Sequence, residues 1–126
     1  MPSPTQHTGH HAETAAAQHL QAQGYAILER NVRVGHAEAD LVALSPQGAL
    51  VVVEVKARRG AWHAEDRVDS VKRGHLVRVA AALLQEERFK DRMAQFDVVA
   101  VCLDAEGGVT EVLHIPHAFD ASGLGW

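Results

Sequence analysis

Hydrophobic positions recur along the chain with two different spacings, and these spacings predict its secondary structure. Apolar residues return every three or four positions over 11–23 and again over 67–85, which is typical of helices with one buried face. Shorter segments rich in β-branched residues, or alternating between apolar and polar side chains, predict strands. The five predicted strands are 25–33, 37–44, 50–56, 96–103 and 109–115.

The order of these elements indicates the fold class. Helix, three strands, helix and two strands (α-β-β-β-α-β-β) predict an α/β protein with a mixed five-stranded sheet flanked by helices. A chain of 126 residues has the length of one domain. We therefore expect a single domain over 11–116, with a flexible tail at 1–10 and a C-terminal tail at 117–126.

Composition and charge exclude several classes of protein. Hydrophobic residues make up 47% of the chain and charged residues 22%, which is an ordinary globular composition. The formal net charge of −4 excludes a protein that coats nucleic acid through bulk positive charge, but not one with a local basic patch. Cys102 is the single cysteine, so no internal disulfide can form. The short apolar runs and the polar N-terminal residues, which lack signal-peptide features, predict a cytoplasmic protein without a membrane partner.

Two neighbouring predicted strands bring acidic side chains together. Because alternate side chains of a strand share a face, each of these strands should present four residues to one face. These residues are Glu38, Asp40, Val42 and Leu44 in one strand, and Leu50, Val52, Glu54 and Lys56 in the next. The turn signal at 45–48 predicts a hairpin centred on Gln47. Such a hairpin places Asp40 opposite Glu54, and Glu38 opposite Lys56.

Two opposed carboxylates repel each other unless a positive group lies between them. Mg²⁺ prefers oxygen ligands and often binds through one or two carboxylates, so Asp40 and Glu54 are candidate metal ligands. Such an ion can stabilise phosphoryl oxygens and activate a water, and Lys56 would add a positive charge nearby.

Other interpretations of these residues need no metal. Glu38 and Lys56 could form a simple cross-strand ion pair, with Asp40 accepting hydrogen bonds from the backbone. The pair of Asp40 and Glu54 could also be stabilised by an arginine, for which the candidates are Arg30, Arg33 and Arg58. A shift of one residue in the turn would remove the predicted pairing altogether.

The pattern of Asp40, followed after a turn by Glu54-Val55-Lys56, resembles the PD-(D/E)xK nuclease motif. Over about residues 9–101 the chain also resembles the YraN-like family of predicted bacterial endonucleases, which are distantly related to archaeal Holliday junction resolvases. The similarity is carried chiefly by Gly9-His10-His11-Ala12-Glu13, Gly24-Tyr25, Arg30-Asn31, Glu38-x-Asp40-Leu41-Val42-Ala43, Val53-Glu54-Val55-Lys56-x-Arg58, Val71-Lys72 and Phe96-Asp97-Val98-Val99. The chain departs from the family pattern at Ala37, Ala39 and Ala57, and the last of these removes a hydroxyl beside the site.

The resemblance implies a restriction-endonuclease-like core and a catalytic site that binds Mg²⁺ or Mn²⁺. Under it, Asp40, Glu54 and the backbone carbonyl of Val55 are metal ligands, and Lys56 is the catalytic lysine. Glu13, in the first predicted helix, matches the additional glutamate of resolvase-type active sites. The candidate catalytic residues are therefore Glu13, Asp40, Glu54 and Lys56.

Positive charge is concentrated directly after the candidate catalytic strand. The window 56–78 holds seven basic and three acidic residues, so it carries +4 while the rest of the chain carries −8. A local basic surface of this kind can bind the phosphate backbone, and the candidate nucleic-acid-binding residues are Arg58, Arg59, Lys72 and Arg73. Trp62 could stack on an unpaired base, or it could pack against the core. The basic residues of the second helix could equally be its solvated face.

Together these observations predict a metal-dependent endonuclease acting on DNA phosphodiesters, with branched or single-stranded DNA as candidate substrates. The alternative is a non-catalytic module on the same fold that binds nucleic acid or a protein partner. A homodimer is expected only by analogy with resolvase-like enzymes, whose branched substrates have two-fold symmetry.

Overall fold

The computed structural model describes residues 4–63 and 68–121, with side chains from Gly9 onward. Two helices, five strands and one 3-10 helix form the described part of the chain. They are α1 (Pro4–Ala22), β1 (Ala26–Val34), β2 (Ala37–Leu44), β3 (Leu50–Arg59), α2 (Ser70–Leu83), the 3-10 helix Glu87–Phe89, β4 (Ala94–Leu103) and β5 (Val109–Phe119). The observed order confirms the predicted α/β fold class.

The strands form one mixed sheet in the order β1-β2-β3-β4-β5. All neighbours are antiparallel except β3 and β4, which are parallel and are joined through α2. Parallel neighbours need a crossover connection, and a helix in that connection covers one face of the sheet. The predicted mixed five-stranded sheet is therefore correct, and its single parallel pair lies at the centre.

The sheet has a hydrophobic core on each face, and each core contains mainly side chains without polar atoms. The α2-side core includes Ala37, Ala39, Val42, Leu50, Val52, Leu76, Val79, Ala80, Phe89, Phe96 and Val98. The α1-side core includes Ala12, Ala16, Leu20, Leu41, Ala43, Val51, Val53, Val99 and Val101. Because β3 is covered on both faces, Val51, Val52 and Val53 are buried although they alternate in direction. No helix in the described residues is both long enough and apolar enough to cross a membrane.

Element boundaries differ from the predicted ones where local chemistry overrides the hydrophobic spacing. Helix α1 begins at Pro4, inside the predicted tail, and proline is tolerated in a first helical turn because its missing N–H would have no partner there. Helix α2 begins at Ser70, because the Asp69 side chain accepts a hydrogen bond from Lys72 N at 2.8 Å and caps the helix. The predicted start of this helix, at 67, lies outside the described residues. Strand β5 continues past the predicted end at 115. Pro116 does not end it, because β5 is an edge strand and proline is tolerated there.

The predicted hairpin register is confirmed by the pairing of β2 with β3. The paired residues run from Leu44 opposite Leu50 to Leu41 opposite Val53, which is the register of a hairpin centred on Gln47. Gly48 in the turn has φ of 87°, a conformation that glycine adopts without strain. The ladder ends at Leu41 and Val53, so Asp40 and Glu54 are the first residues beyond it.

The predicted common face of β2 is wrong for Glu38. Ala39 and Val42 both pack in the α2-side core, although strict alternation would place them on opposite faces. The side chains therefore change face at Asp40, which lies opposite Asn31 of β1, a residue with φ of 53°. Glu38 lies on the other face from Val42, where it forms an ion pair of 3.1 Å with Arg33.

Candidate functional site

The carboxyl group of Asp40 lies at the point where β2 separates from β3. Its Oδ2 accepts a hydrogen bond of 2.7 Å from the backbone N–H of Val55. The side chain thus replaces the backbone carbonyl that β2 would otherwise have supplied. Asp40 therefore accepts a hydrogen bond from the backbone, which was one of the alternatives for this residue in the sequence. This contact fixes Asp40 beside the Glu54-Val55-Lys56 segment of β3.

Glu54 is a buried carboxyl, only 5% exposed, and it faces a second acid. Burial raises its pKa to about 8, with further upward contributions from a hydrogen bond with Asp40 and from the charge of that residue. Lys72 and Lys56 oppose the shift. Two carboxyl groups share a hydrogen bond only when one of them holds a proton, and Glu54, with its raised pKa, keeps its proton to a higher pH than an ordinary glutamate does.

Lys72 reaches the acidic pair from α2. Its Nζ lies 3.5 Å from Glu54 Oε2 and donates a hydrogen bond of 3.0 Å to the backbone carbonyl of Glu38. Apart from this ion pair, Glu54 Oε2 is buried and has no hydrogen-bond partner among the described residues. A buried carboxylate oxygen without a donor is costly, which marks it as a place where a further positive group would bind favourably.

Glu13 approaches Asp40 from α1, on the other side of the sheet edge. Burial and the charge of Asp40 raise the pKa of Glu13, while Arg30 and a hydrogen bond with Asn31 lower it. Arg30 lies 3.9 Å from Glu13, so this arginine pairs with the helix carboxylate. We call Glu13, Asp40 and Glu54 the carboxylate site, with Asp40 as its central member.

The carboxylate site is not a closed cluster. Within the described residues, no three His, Cys, Asp or Glu side chains lie close enough together to form a preformed metal-binding group. Instead, the three acids form a row with Asp40 in the middle, because Asp40 raises the pKa of both Glu13 and Glu54. The donors that could bind a cation together are therefore Asp40, Glu54 and a backbone carbonyl such as that of Val55.

The predicted nucleic-acid-binding residues occupy different surroundings. Arg59 is exposed and Arg58 is partly buried, both in the part of β3 that pairs with the end of β4. Lys72 faces the carboxylate site rather than open solvent. Arg73 Nε donates a hydrogen bond of 2.9 Å to Val68 O, and its guanidinium lies 5.5 Å from the centre of the Phe119 ring. Their role in binding nucleic acid stays a prediction.

A second buried acid, Asp97, was given no role by the sequence analysis. It is fully buried in β4, as the register partner of Val53, and its carboxylate is surrounded by polar groups. The contacts are with the Tyr25 hydroxyl at 3.2 Å, His114 Nε2 at 2.7 Å, Gln95 Nε2 at 2.9 Å and the His117 backbone N–H at 3.1 Å. Burial and the charge of Asp97 raise the pKa of Tyr25. A charged residue inside a strand of valines and alanines is the signal that could have identified this network.

The raised pKa of Glu54 predicts that its contribution to stability falls as the pH rises. A carboxyl whose pKa is higher in the folded protein than its ordinary 4.5 binds more protons when folded. Stability from this group is therefore greatest below that ordinary pKa and is lost as the pH approaches 8. The loss should be on the order of 1 kcal/mol per pH unit across this interval.

Urea unfolding of the wild type and of Glu54→Gln across this pH range checks the expectation. Glutamine has no proton to lose, so the stability of the variant should fall less than that of the wild type as the pH rises. The matched control is Glu106→Gln in the exposed β4–β5 turn, which should follow the wild type. Parallel pH profiles for Glu54→Gln and the wild type would contradict the raised pKa.

The fold and the site define an α/β protein that collects acidic side chains where its central hairpin opens. Residues 12–101 match the model of a family described as uncharacterised protein family UPF0102. A UPF0102 protein from Trichlorobacter lovleyi is 39% identical over 117 residues, which cover 91% of each chain. Another, from Ectopseudomonas mendocina, is 40% identical over 116 residues, covering 90% of this chain and 94% of the relative. The chain belongs to the UPF0102 family, which confirms the YraN-like resemblance; the link to nucleases stays a prediction.

Proposed function

We propose that this protein is a metal-dependent nuclease that hydrolyses phosphodiester bonds in DNA. The observation that carries the proposal is the meeting of Asp40 and Glu54 beyond the end of the β2–β3 ladder, with Lys56 two residues further along β3. The order of these residues agrees with the nuclease-like motif, and the backbone contact of Asp40 fixes their spacing. Glu13 and Lys72 complete the charged surroundings from the two helices.

The residues present fit a hard divalent cation. Carboxylate and carbonyl oxygens are the ligands that Mg²⁺ and Mn²⁺ prefer, and Glu54 Oε2 is a buried oxygen without a hydrogen bond. Asp40, Glu54 and the backbone carbonyl of Val55 would hold such an ion. When bound, it supplies Lewis-acid stabilisation of phosphoryl oxygens and lowers the pKa of water.

The chain's own groups have separable roles in this proposal. The backbone N–H of Val55 holds Asp40 in one orientation, so the site is organised before substrate arrives. Lys56 places a positive charge beside the oxygens on which negative charge develops during phosphodiester cleavage. Lys72 favours the ionised form of Glu54, but burial and Asp40 keep its pKa near 8, so cation binding at neutral pH must displace the proton of Glu54.

Calorimetry with Mn²⁺ tests the metal site directly. Wild-type protein should bind Mn²⁺ with release of a proton, because the pKa of Glu54 lies near 8 and a ligand carboxylate must be deprotonated. Binding should therefore tighten as the pH rises toward 8. Titrations in two buffers of different ionisation enthalpy measure the proton count.

Two variants make this titration specific to the proposed ligands. Glu54→Gln should abolish Mn²⁺ binding, whereas Glu106→Gln should bind as the wild type does. Equal Mn²⁺ binding by wild type and Glu54→Gln would overturn the assignment of Glu54 as a ligand.

A specific contact favours the non-catalytic alternative as a second candidate. Lys72 already places a positive charge 3.5 Å from Glu54 Oε2, and a lysine in that position can stabilise the acid without any ion. In that case the fold would bind nucleic acid through its basic window and cut nothing. Salt-sensitive DNA binding that needs no metal, together with a complete lack of cleavage of branched, duplex and single-stranded DNA, would support this candidate.

A further inference from the structure

An apolar cavity of about 190 Å³ opens on the α2 side of the sheet. Its lining includes the aromatic residues Trp62 and Phe119, the side chain of Arg73, and Val98 and Ile115. We call the cavity that these five residues line the aromatic cavity. The volume is below that of ordinary drug-sized pockets, so it suits one flat ring system.

The cavity lies immediately beside the carboxylate site. Val98, which lines the cavity, is the register partner of Glu54, and Ile115 is in turn the partner of Val98. Glu54, Val98 and Ile115 therefore form one row across β3, β4 and β5. Neighbouring strands are about 4.8 Å apart, so a group bound in the cavity is adjacent to a group bound at Glu54.

The lining has the chemistry of a base-stacking surface. Trp62 packs partly against the α2-side core, as one of the two sequence-based alternatives predicted, and it also forms a wall of the cavity. Arg73 is held by its hydrogen bond to Val68 O while its guanidinium lies over Phe119. Aromatic rings and arginine planes stack on nucleobases with little sequence preference.

The surrounding charge favours a base that is attached to a phosphate backbone. The cavity residues Trp62 and Arg73 belong to the window 56–78, whose net charge is +4 in a chain of net charge −4. Lys72 and Arg73 are consecutive in α2, and one contacts the carboxylate site while the other lines the cavity. An uncharged aromatic molecule would make no use of this arrangement.

We propose that the aromatic cavity takes one unpaired nucleobase of the DNA strand whose phosphate lies at the carboxylate site. The inference rests on the proposed nuclease function and names its substrate as DNA with an unstacked base, in a single strand or at a branch point. A fully paired duplex would have to unpair a base to fill the cavity, so it binds more weakly.

The fluorescence of Trp62 reports occupancy. The chain has two tryptophans, so Trp126→Phe leaves Trp62 as the single indole. Single-stranded oligonucleotides titrated into this variant in EDTA should quench its emission, because a base stacks on the indole. A matched oligonucleotide with only abasic sites should bind without this quenching, and a perfect duplex should quench less than the single strand.

Binding measurements on a second variant give the size of the effect. Trp62→Ala should weaken single-strand binding about 5- to 150-fold, the range expected for loss of one stacked base. Trp62→Phe should restore most of the affinity, because it keeps an aromatic ring. It therefore shows whether the loss in Trp62→Ala comes from stacking or from a folding defect. Met93→Ala, at an exposed apolar residue, is the control and should bind as wild type does.

The outcomes separate this inference from the proposed function. In one outcome the wild type cleaves DNA, Trp62→Ala binds single strands as tightly as the wild type, and abasic strands quench Trp62 as much as ordinary strands do. The cavity assignment then fails and the nuclease proposal stands. If single strands quench Trp62 but no DNA is cleaved with Mn²⁺, the nuclease proposal fails and the cavity is a binding site. If the wild type binds no DNA, both are overturned.

Discussion

Glu54→Gln and Lys56→Ala are each expected to reduce DNA cleavage by about 10²- to 10³-fold, while both variants remain folded. Glutamine keeps the size of Glu54 but cannot supply the carboxylate that would hold a divalent cation. Alanine at 56 removes the positive charge that opposes charge building up on the phosphate, and losing one such group typically costs this factor. The measurement is single-turnover cleavage of branched, duplex and single-stranded DNA with Mn²⁺.

Controls for this experiment come from the same residue types at exposed positions. Glu106→Gln in the β4–β5 turn and Lys90→Ala after the 3-10 helix lie outside the carboxylate site and should cleave at the wild-type rate. Cleavage that persists at that rate in both Glu54→Gln and Lys56→Ala would rule out the proposed mechanism. If cleavage is lost only in Lys56→Ala, the proposed role of Lys56 stands and Glu54 is not a metal ligand.

The position of Asp40 beside Glu54 could be predicted because two local rules agreed. The turn residues fixed the centre of the hairpin, and the period of two along each strand then fixed the register. The structure bears this out from Leu44 to Leu41. What the period could not predict is the change of face at Asp40, which coincides with the left-handed backbone of Asn31 between the paired residues Arg30 and Val32 of β1.

The contacts of Lys72 were beyond the reach of local patterns. Its partners, Glu38 and Glu54, lie 34 and 18 positions away in the sequence, and they become neighbours of Lys72 only when α2 packs on the sheet. The sequence grouped Lys72 with Arg73, either as nucleic-acid-binding residues or as part of the solvated face of the helix. Consecutive helical residues point in directions about 100° apart, so one can face the acids while the next lines the cavity.

The Asp97 network shows the same limit on prediction. Tyr25 and His114 reach Asp97 from before β1 and from within β5, at sequence separations of 72 and 17. Each of these residues is unremarkable in its own segment. They become partners only because the sheet order places β5 next to β4 and because α1 holds Tyr25 over the same face. A single buried charge in the sequence indicates that partners exist, but not which residues they are.

Asp97→Ala is expected to cost about 3–5 kcal/mol of folding stability, the largest effect of any substitution proposed for this protein. The carboxylate is fully buried and is contacted by the Tyr25 hydroxyl, the side chains of His114 and Gln95, and the backbone N–H of His117. Removing it leaves those buried and partly buried groups without their acceptor, and that penalty exceeds the loss of the contacts themselves. Urea unfolding monitored by circular dichroism measures the change.

A graded series distinguishes this network from simple packing. Tyr25→Phe removes one hydroxyl donor and should cost about 1 kcal/mol, whereas Glu111→Ala at an exposed position of β5 should cost less than about 0.5 kcal/mol. A double-mutant cycle between Asp97 and His114 should give a coupling free energy of roughly 1–3 kcal/mol, because each residue is the other's closest polar contact. Additive losses in that cycle would mean that Asp97 stabilises β4 by filling space and that the short contact with His114 contributes nothing to folding.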